Sequence, residues 1–218
     1  MIYGMSAFLL FLSKKDIINE KGTKYYSDLK KQIKYQLKLI VPNVPEIGDS
    51  IFRSSYIMGV IYIAWYKSFL ELGMQKDEAN IWIWRASENS LKIIPKNCLW
   101  LVKKAYIGGM LKKAESHTKK SIENKLPEYD WKIEYKKVNE NEFYLNTYEC
   151  GIKKLCKLFN TEEMLPSLCR LDYLTSHYLG SGFLRDKTLG DGDELCNNKF
   201  FINGICEWSP EKGFISRK

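Results

Sequence analysis

The spacing of apolar residues changes near position 130, and that change confines the chain to a fold with helices first and strands after. From Lys24 to Ile40 the apolar residues Tyr25, Leu29, Ile33, Leu37 and Ile40 recur three or four apart, the one-sided stripe of a helix. Pro42 and Pro45 close it. A second helix is expected from an N-cap at Asp49 or Ser50 to Leu72, with Gly73 as its stop. A third opens on Lys76-Asp77-Glu78 and runs to Pro95; a fourth spans Lys96 to Ser121, where Gly108-Gly109 kinks it or lets another backbone pass. Residues 126–130 read as a linker. Then Trp131, Ile133 and Tyr135 alternate with Lys132, Glu134 and Lys136, and Phe143, Leu145 and Thr147 alternate with Tyr144, Asn146 and Tyr148. Two half-buried strands around a turn at 138–141 make a hairpin. Helices are expected again at 152–159 and 162–178, and strands at 183–188 and 199–202, across the acidic turn 190–194. The fold class is α+β, a helical N-terminal half packed with a small antiparallel sheet in the C-terminal half. The expected organisation is an N-terminal segment 1–22, a helical region 23–126, and a sheet with helices at 131–208, the last two forming one compact unit.

Several function classes fall away on composition. The 34 basic and 26 acidic residues leave a net charge of +8, but the lysines of 14–38 and 103–125 recur at helical spacing with almost no arginine. They read as solvated helix faces without nucleic-acid partners. The apolar run 56–66 is far shorter than the roughly 20 residues of a membrane span. The apolar start, residues 5–12, lacks a preceding basic residue and a cleavage motif, so it is read as a strip that docks on the body or frays. Six cysteines without a CxxC pair suit a reduced, cytosolic protein better than a disulfide scaffold or a zinc ribbon. No GxGxxG or P-loop is present, so no cofactor is expected. His117, among lysines, is read as solvated. Trp82, Trp84 and Trp100 belong to the core or to a subunit interface, with the core favoured, and a homo-oligomer is left open. The tail from Pro210 is polar and expected to be ordered only in part.

The chemistry-bearing residues bunch in the back half. Cys150 ends the second hairpin strand and Gly151 turns the chain into a helix, where the helix dipole can lower a thiol pKa. Cys169 and Asp172 are one turn apart on one helix face, with His177 at the limit of that face. Arg185 and Thr188 are placed on the next strand, and Cys196 follows the Gly-Asp turn. The separations are 18 residues from Cys150 to Cys169, 12 from Asp172 to Arg185, then 2 to Thr188, 3 to Gly192 and 3 to Cys196.

This string resembles the C-terminal signature of the 2-aminothiazoline-4-carboxylate hydrolases: a Cys after a strand, C-x-x-D on the next helix, then R-x-x-T-x-x-x-G-x-x-x-C before an aromatic strand. The segment from Pro45 to Gly73 is similar too, and the resemblance covers about residues 45–201. Two positions depart from the pattern: Gly151 stands where Pro is frequent, and Asn197 where Asp commonly follows the last Cys. The resemblance implies hydrolysis of a small cyclic isothiourea to an N-carbamoyl cysteine, with a small-molecule substrate as the partner. Cys169 is then the candidate nucleophile, Asp172 the general base or amidinium partner, and Cys150 a further catalytic or pocket thiol. Arg185, with Arg170 second, is the cation for the substrate carboxylate; Thr188 and Cys196 line the pocket. Two rivals stand beside this. One is a small-molecule-binding domain of the vinyl-reductase-like class, without turnover. The other is a metal site built from the cysteines with Asp172 or His177, for which the spacing gives no paired knuckles.

Overall fold

A computed structural model describes residues 1–214. Its organising element is helix α3 (Arg53–Glu71), which is apolar on nearly every side and so has no face to give to solvent. Val60, Ile61, Ile63, Ala64, Trp65 and Phe69 are each at most 1 % exposed. Around it pack α1 (Ile2–Leu12), α2 (Lys14–Ile40), α4 (Lys76–Lys92) and, from the back half, α6 (Gly151–Leu158). The apolar N-terminal strip is therefore a docked helix: Leu9 and Leu10 are buried, and Trp65 Nε1 donates to Ser6 Oγ at 2.9 Å. Helix α2 is interrupted at Gly22 (φ 90°, ψ 163°). Helix α3 starts two residues later than the Ser50 cap would place it. Ser50 Oγ accepts from Phe52 N at 3.0 Å and donates to Asp130 Oδ1 at 2.6 Å, so Ser50 serves a tertiary contact rather than a helix end.

Helix α5 (Leu99–Ile122) runs unbroken through Gly108-Gly109 and closes one edge of the sheet. Strands β1 (Lys132–Lys137), β2 (Glu142–Glu149), β3 (Gly182–Leu184) and β4 (Cys196–Phe201) pair antiparallel in the order β1-β2-β4-β3. The free amides of edge strand β1 meet α5 hydroxyls: Ile133 N donates to Ser121 Oγ at 3.1 Å and Tyr135 N to Thr118 Oγ1 at 2.9 Å. His117, expected in solvent, is 4 % exposed, with Nε2 2.9 Å from the Trp131 carbonyl. Asp130, expected in a linker, is 2 % exposed and also accepts from Trp131 N at 2.8 Å. Both residues hold the crossing from helix to strand, a role that exists only once α5 and β1 are side by side.

The inner face of the sheet alternates as the period-2 pattern requires. Phe143, Leu145 and Thr147 on β2 lie opposite Phe200, Asn198 and Cys196 on β4, and the Phe143 and Phe200 rings stack at 5.1 Å. Two strand ends differ from expectation. Strand β4 begins at Cys196, earlier than 199, and β3 stops at Leu184, well before 188. The early start of β4 follows from its pairing with β2, where Cys196 lies opposite Thr147. The early end of β3 follows from Asn197, whose Oδ1 accepts from the amides of Asp186 (3.0 Å) and Lys187 (2.8 Å) in place of the ladder. An amide oxygen supplies this as well as a carboxylate would, so the departure from the usual Asp leaves the turn intact. Trp82 and Trp84 are core residues, whereas Trp100 is 58 % exposed. Beyond β4 the chain returns over α4, where Trp208 and Phe214 pack on Trp84, and the end of the polar tail lies outside the described residues. No helix among the described residues is long and apolar enough to cross a membrane.

Candidate functional site

Helix α6 begins at the end of β2, with Cys150 as its N-cap in extended conformation (φ −117°, ψ 120°). The close packing of this corner leaves no room for a side chain at Gly151. A Cβ there would stand 2.5 Å from the Trp131 ring and 2.5 Å from the Tyr129 carbonyl oxygen. The backbone N–H groups of Ile152 and Lys153 do face the Cys150 thiol, as the helix-terminus argument requires, and they pull its pKa down. Burial is the larger influence, however, and with nearby Cys169 and Cys196 it pushes the thiol up to about 12. The direction is opposite to the sequence expectation because desolvation outweighs two amide dipoles.

Cys169 and Asp172 do not share one helix. Cys169 ends α7 (Leu165–Cys169), and Asp172 lies in the first turn of α8 (Leu171–Leu179). The elbow between them, at Arg170, is fixed from outside. The Arg170 guanidinium, 4 % exposed, donates to Asp191 at 3.3 and 2.9 Å and to the Pro166 carbonyl at 3.4 Å. Arg185 is not on a strand but just past the end of β3. It donates through Nη1 to Asp172 Oδ2 at 3.0 Å and through Nη2 to the Cys169 carbonyl. Its guanidinium lies over the Tyr173 and Phe183 rings at 5.4 and 5.3 Å, and Tyr173 Oη donates to its carbonyl at 2.9 Å. Thr188, also beyond the strand, caps a 3-10 turn, and its hydroxyl lies 3.4 Å from Cys196 Sγ. The same hydroxyl helps to lower the pKa of the Cys169 thiol. Leu189 N donates to Cys196 Sγ at 3.3 Å. Gly190 packs so tightly on Cys169 that a Cβ would lie 2.4 Å from its sulfur.

The structure thus brings Cys150, Cys169, Asp172, Arg185, Thr188 and Cys196 into one neighbourhood. Burial pushes the Cys169 thiol up, and Arg185 and the Thr188 hydroxyl oppose it. Burial also pushes the Asp172 carboxyl up against the pull of Arg185; the side chain keeps 38 % of its surface exposed, so solvent tempers the desolvation. Burial would pull Arg185 down, but Asp172 and the thiols hold its pKa above the usual value. Both expected carboxylate-binding cations, Arg185 and Arg170, are buried and already engaged by aspartates. His177 is exposed at the end of α8 and stands outside the cluster. Among the described residues no group of three His, Cys, Asp or Glu is placed to hold a metal ion.

A recess of about 240 Å³ opens beside Cys150, lined by Tyr148, Lys153, Lys157, Glu162 and Leu189 among others. A larger hollow, about 410 Å³, lies between Phe11 and Asn19 at the α1–α2 junction, away from every cysteine. Cys150, the one clustered residue that lines either hollow, decides between the two in favour of the first. Two residues escaped sequence reasoning. Tyr106 on α5 keeps 43 % of its surface exposed, yet desolvation of the phenol and the neighbouring Asp172 charge both raise its pKa. Asn198 sits on the buried face of β4 between Cys196 and Phe200. Its Nδ2 donates to the Leu145 carbonyl at 2.9 Å, yet its buried Oδ1 has no partner among the described residues. A polar residue on the inward phase of an alternating strand is the signal that could have found it.

Arg185→Leu tests the ion pair. Breaking a buried pair costs about 3–5 kcal/mol, and the exposure of Asp172 reduces this to about 2 kcal/mol. Without Arg185 the Asp172 carboxyl titrates higher than in the wild type. A carboxyl with a folded pKa above its unfolded one favours folding while protonated, and that contribution is lost as pH rises through the folded pKa. Urea titrations should therefore show a larger deficit for the variant at neutral than at mildly acid pH. Equal deficits would remove the coupling.

Residues 54–200, about two thirds of the chain, match the model of the L-2-amino-thiazoline-4-carboxylic acid hydrolase family. The matched span contains all six clustered residues. No curated protein and no solved structure matches the chain.

Proposed function

The chain belongs to the L-2-amino-thiazoline-4-carboxylic acid hydrolase family, and on that premise we propose that it opens a small cyclic isothiourea with water at the Cys150–Cys169–Asp172–Arg185 centre. Family membership supports a hydrolase role in general; the substrate and residue roles are the further step. The observation that carries the reading is the Arg185–Asp172 pair at 3.0 Å, braced on the Cys169 carbonyl and flanked by two more thiols. A pocket that only binds an apolar ligand gains nothing from holding such charges out of water.

The chemistry follows from the groups. The electrophile is the ring carbon bonded to two nitrogens and sulfur. Asp172, its carboxyl raised above the ordinary value by burial, pairs with the amidinium and takes a proton from the attacking group. Arg185 braces Asp172 and draws the Cys169 thiol toward thiolate. Cys169 attack forms a carbon–sulfur bond and breaks the ring's carbon–sulfur bond, the released sulfur taking a proton. Water then adds to the same carbon, its oxygen bond replacing the bond to Cys169. The product is N-carbamoyl cysteine, and Cys169 is regenerated. Thr188, its hydroxyl 3.4 Å from Cys196 Sγ, holds that thiol in place.

Incubating the protein with L-2-amino-thiazoline-4-carboxylic acid tests the reading, with N-carbamoyl cysteine as the product sought. Because burial raises the Cys169 thiol, the thiolate becomes more populated as pH rises, so turnover should climb through the alkaline range. A profile flat above neutrality would assign the attack to water, and absence of product at every pH would favour the non-catalytic binding domain.

A further inference from the structure

With both arginines engaged by aspartates, the carboxylate of a ring substrate needs another cation. The recess beside Cys150 supplies one. Of the charged residues lining it, Lys154 and Glu149 pair with each other, and Glu149 also takes Lys132 at 2.6 Å. That leaves Lys153 and Lys157 against Glu162. Lys153 is half-buried, and its Nζ donates at 2.9 Å to the carbonyl of Leu189, a neutral group. No acidic side chain pairs with it among the described residues. Leu189 is the residue whose amide donates to Cys196 Sγ, so the ammonium and that thiol are joined through one residue. The N-terminal amides of α6, which carry partial positive charge, face the Cys150 thiol that lines the recess. At about 240 Å³ the recess lies below the ~300–1,000 Å³ common for drug-sized ligands, a size for one small ring.

We propose that this recess receives the carboxylate end of the substrate and that Lys153 is its charge partner. On binding, the ammonium leaves the Leu189 carbonyl or shares itself with it, and the ring is set beside Cys150 with its reactive carbon toward Cys169. The identity of the carboxylate rests on the ring-opening reading above; the charge preference of the recess does not.

Paired alkylation of Cys150 measures that preference. Iodoacetate and iodoacetamide have similar shape and differ by one negative charge, and peptide mapping reads the modification at Cys150 alone. The ratio of the iodoacetate to the iodoacetamide rate should fall about fivefold in Lys153→Met, the worth of one unit charge near contact in water. It should hold in Lys153→Arg and change little in Lys157→Met. Lys153→Gln, with matching thermal melts, serves if the Met variant does not fold. An unchanged ratio in the Met or Gln variant, an equal fall in Lys157→Met, or a Cys150 that does not label overturns the proposal. A wild type that opens no ring but shows the Lys153-dependent ratio loses the hydrolase reading and keeps this site.

Discussion

Gly151→Ala is expected to destabilise the protein by about 3 kcal/mol, the upper part of the range for forcing atoms into a packed site. A methyl at this position has no flexible neighbour to displace. The Trp131 ring it would meet at 2.5 Å is stacked on Phe52 with centroids 4.8 Å apart and meets Tyr56 edge-on at 6.0 Å. The other contact, the Tyr129 carbonyl, is backbone. Relief requires moving the start of α6 away from β1, and Cys150, the N-cap, moves with it. The variant should therefore lose alkylation selectivity at Cys150 along with stability. Chemical denaturation checks the first effect; a midpoint equal to that of the wild type would show that the corner is looser than described. A proline at this position would carry its ring into the same space.

Cys169→Ala and Asp172→Asn are the substitutions with the largest expected effect on turnover. Removing a positioned acid or base costs on the order of 10²–10⁴-fold, and loss of the attacking thiol should cost at least as much. Cys169→Ala should change stability little, whereas Asp172→Asn should cost about 1–2 kcal/mol because the buried Arg185 loses its counter-charge. Asp172 is only part-buried, and in the Asn variant its amide oxygen can still accept from Arg185. Cys169→Ala leaves a small gap beside Gly190. Loss of turnover in variants that remain folded at the assay temperature would place these residues in the chemistry and not in the scaffold.

Much of the fold could be read from residue patterns because the patterns report local physics. The period-2 alternation of residues 131–148 became β1 and β2, and the all-round apolar run 56–66 became the central helix α3. What could not be read depends on contacts between distant segments. The stretch 2–12 has no one-sided stripe, so nothing local says that it is a helix docked through Ser6 on Trp65. The end of β3 is set by the Asn197 side chain, ten and eleven residues away, taking two backbone amides. His117 looks solvated beside its lysine neighbours, yet faces the Trp131 carbonyl because α5 covers β1. At the site, residue types and separations pointed to the three thiols, the acid and the guanidinium. Their electrostatics did not follow from spacing: burial reversed the expected shift of Cys150, and the two arginines turned out to be committed to Asp172 and Asp191.

The central claim is that Cys169 and Asp172 act as one reactive unit on a single bound ring, and a double-substitution cycle on turnover tests it most directly. Groups that act together lose their joint effect once, so Cys169→Ala/Asp172→Asn should be no slower than the slower of the two single variants. Wild-type turnover in either single variant, or rate losses that multiply in the double, would contradict it.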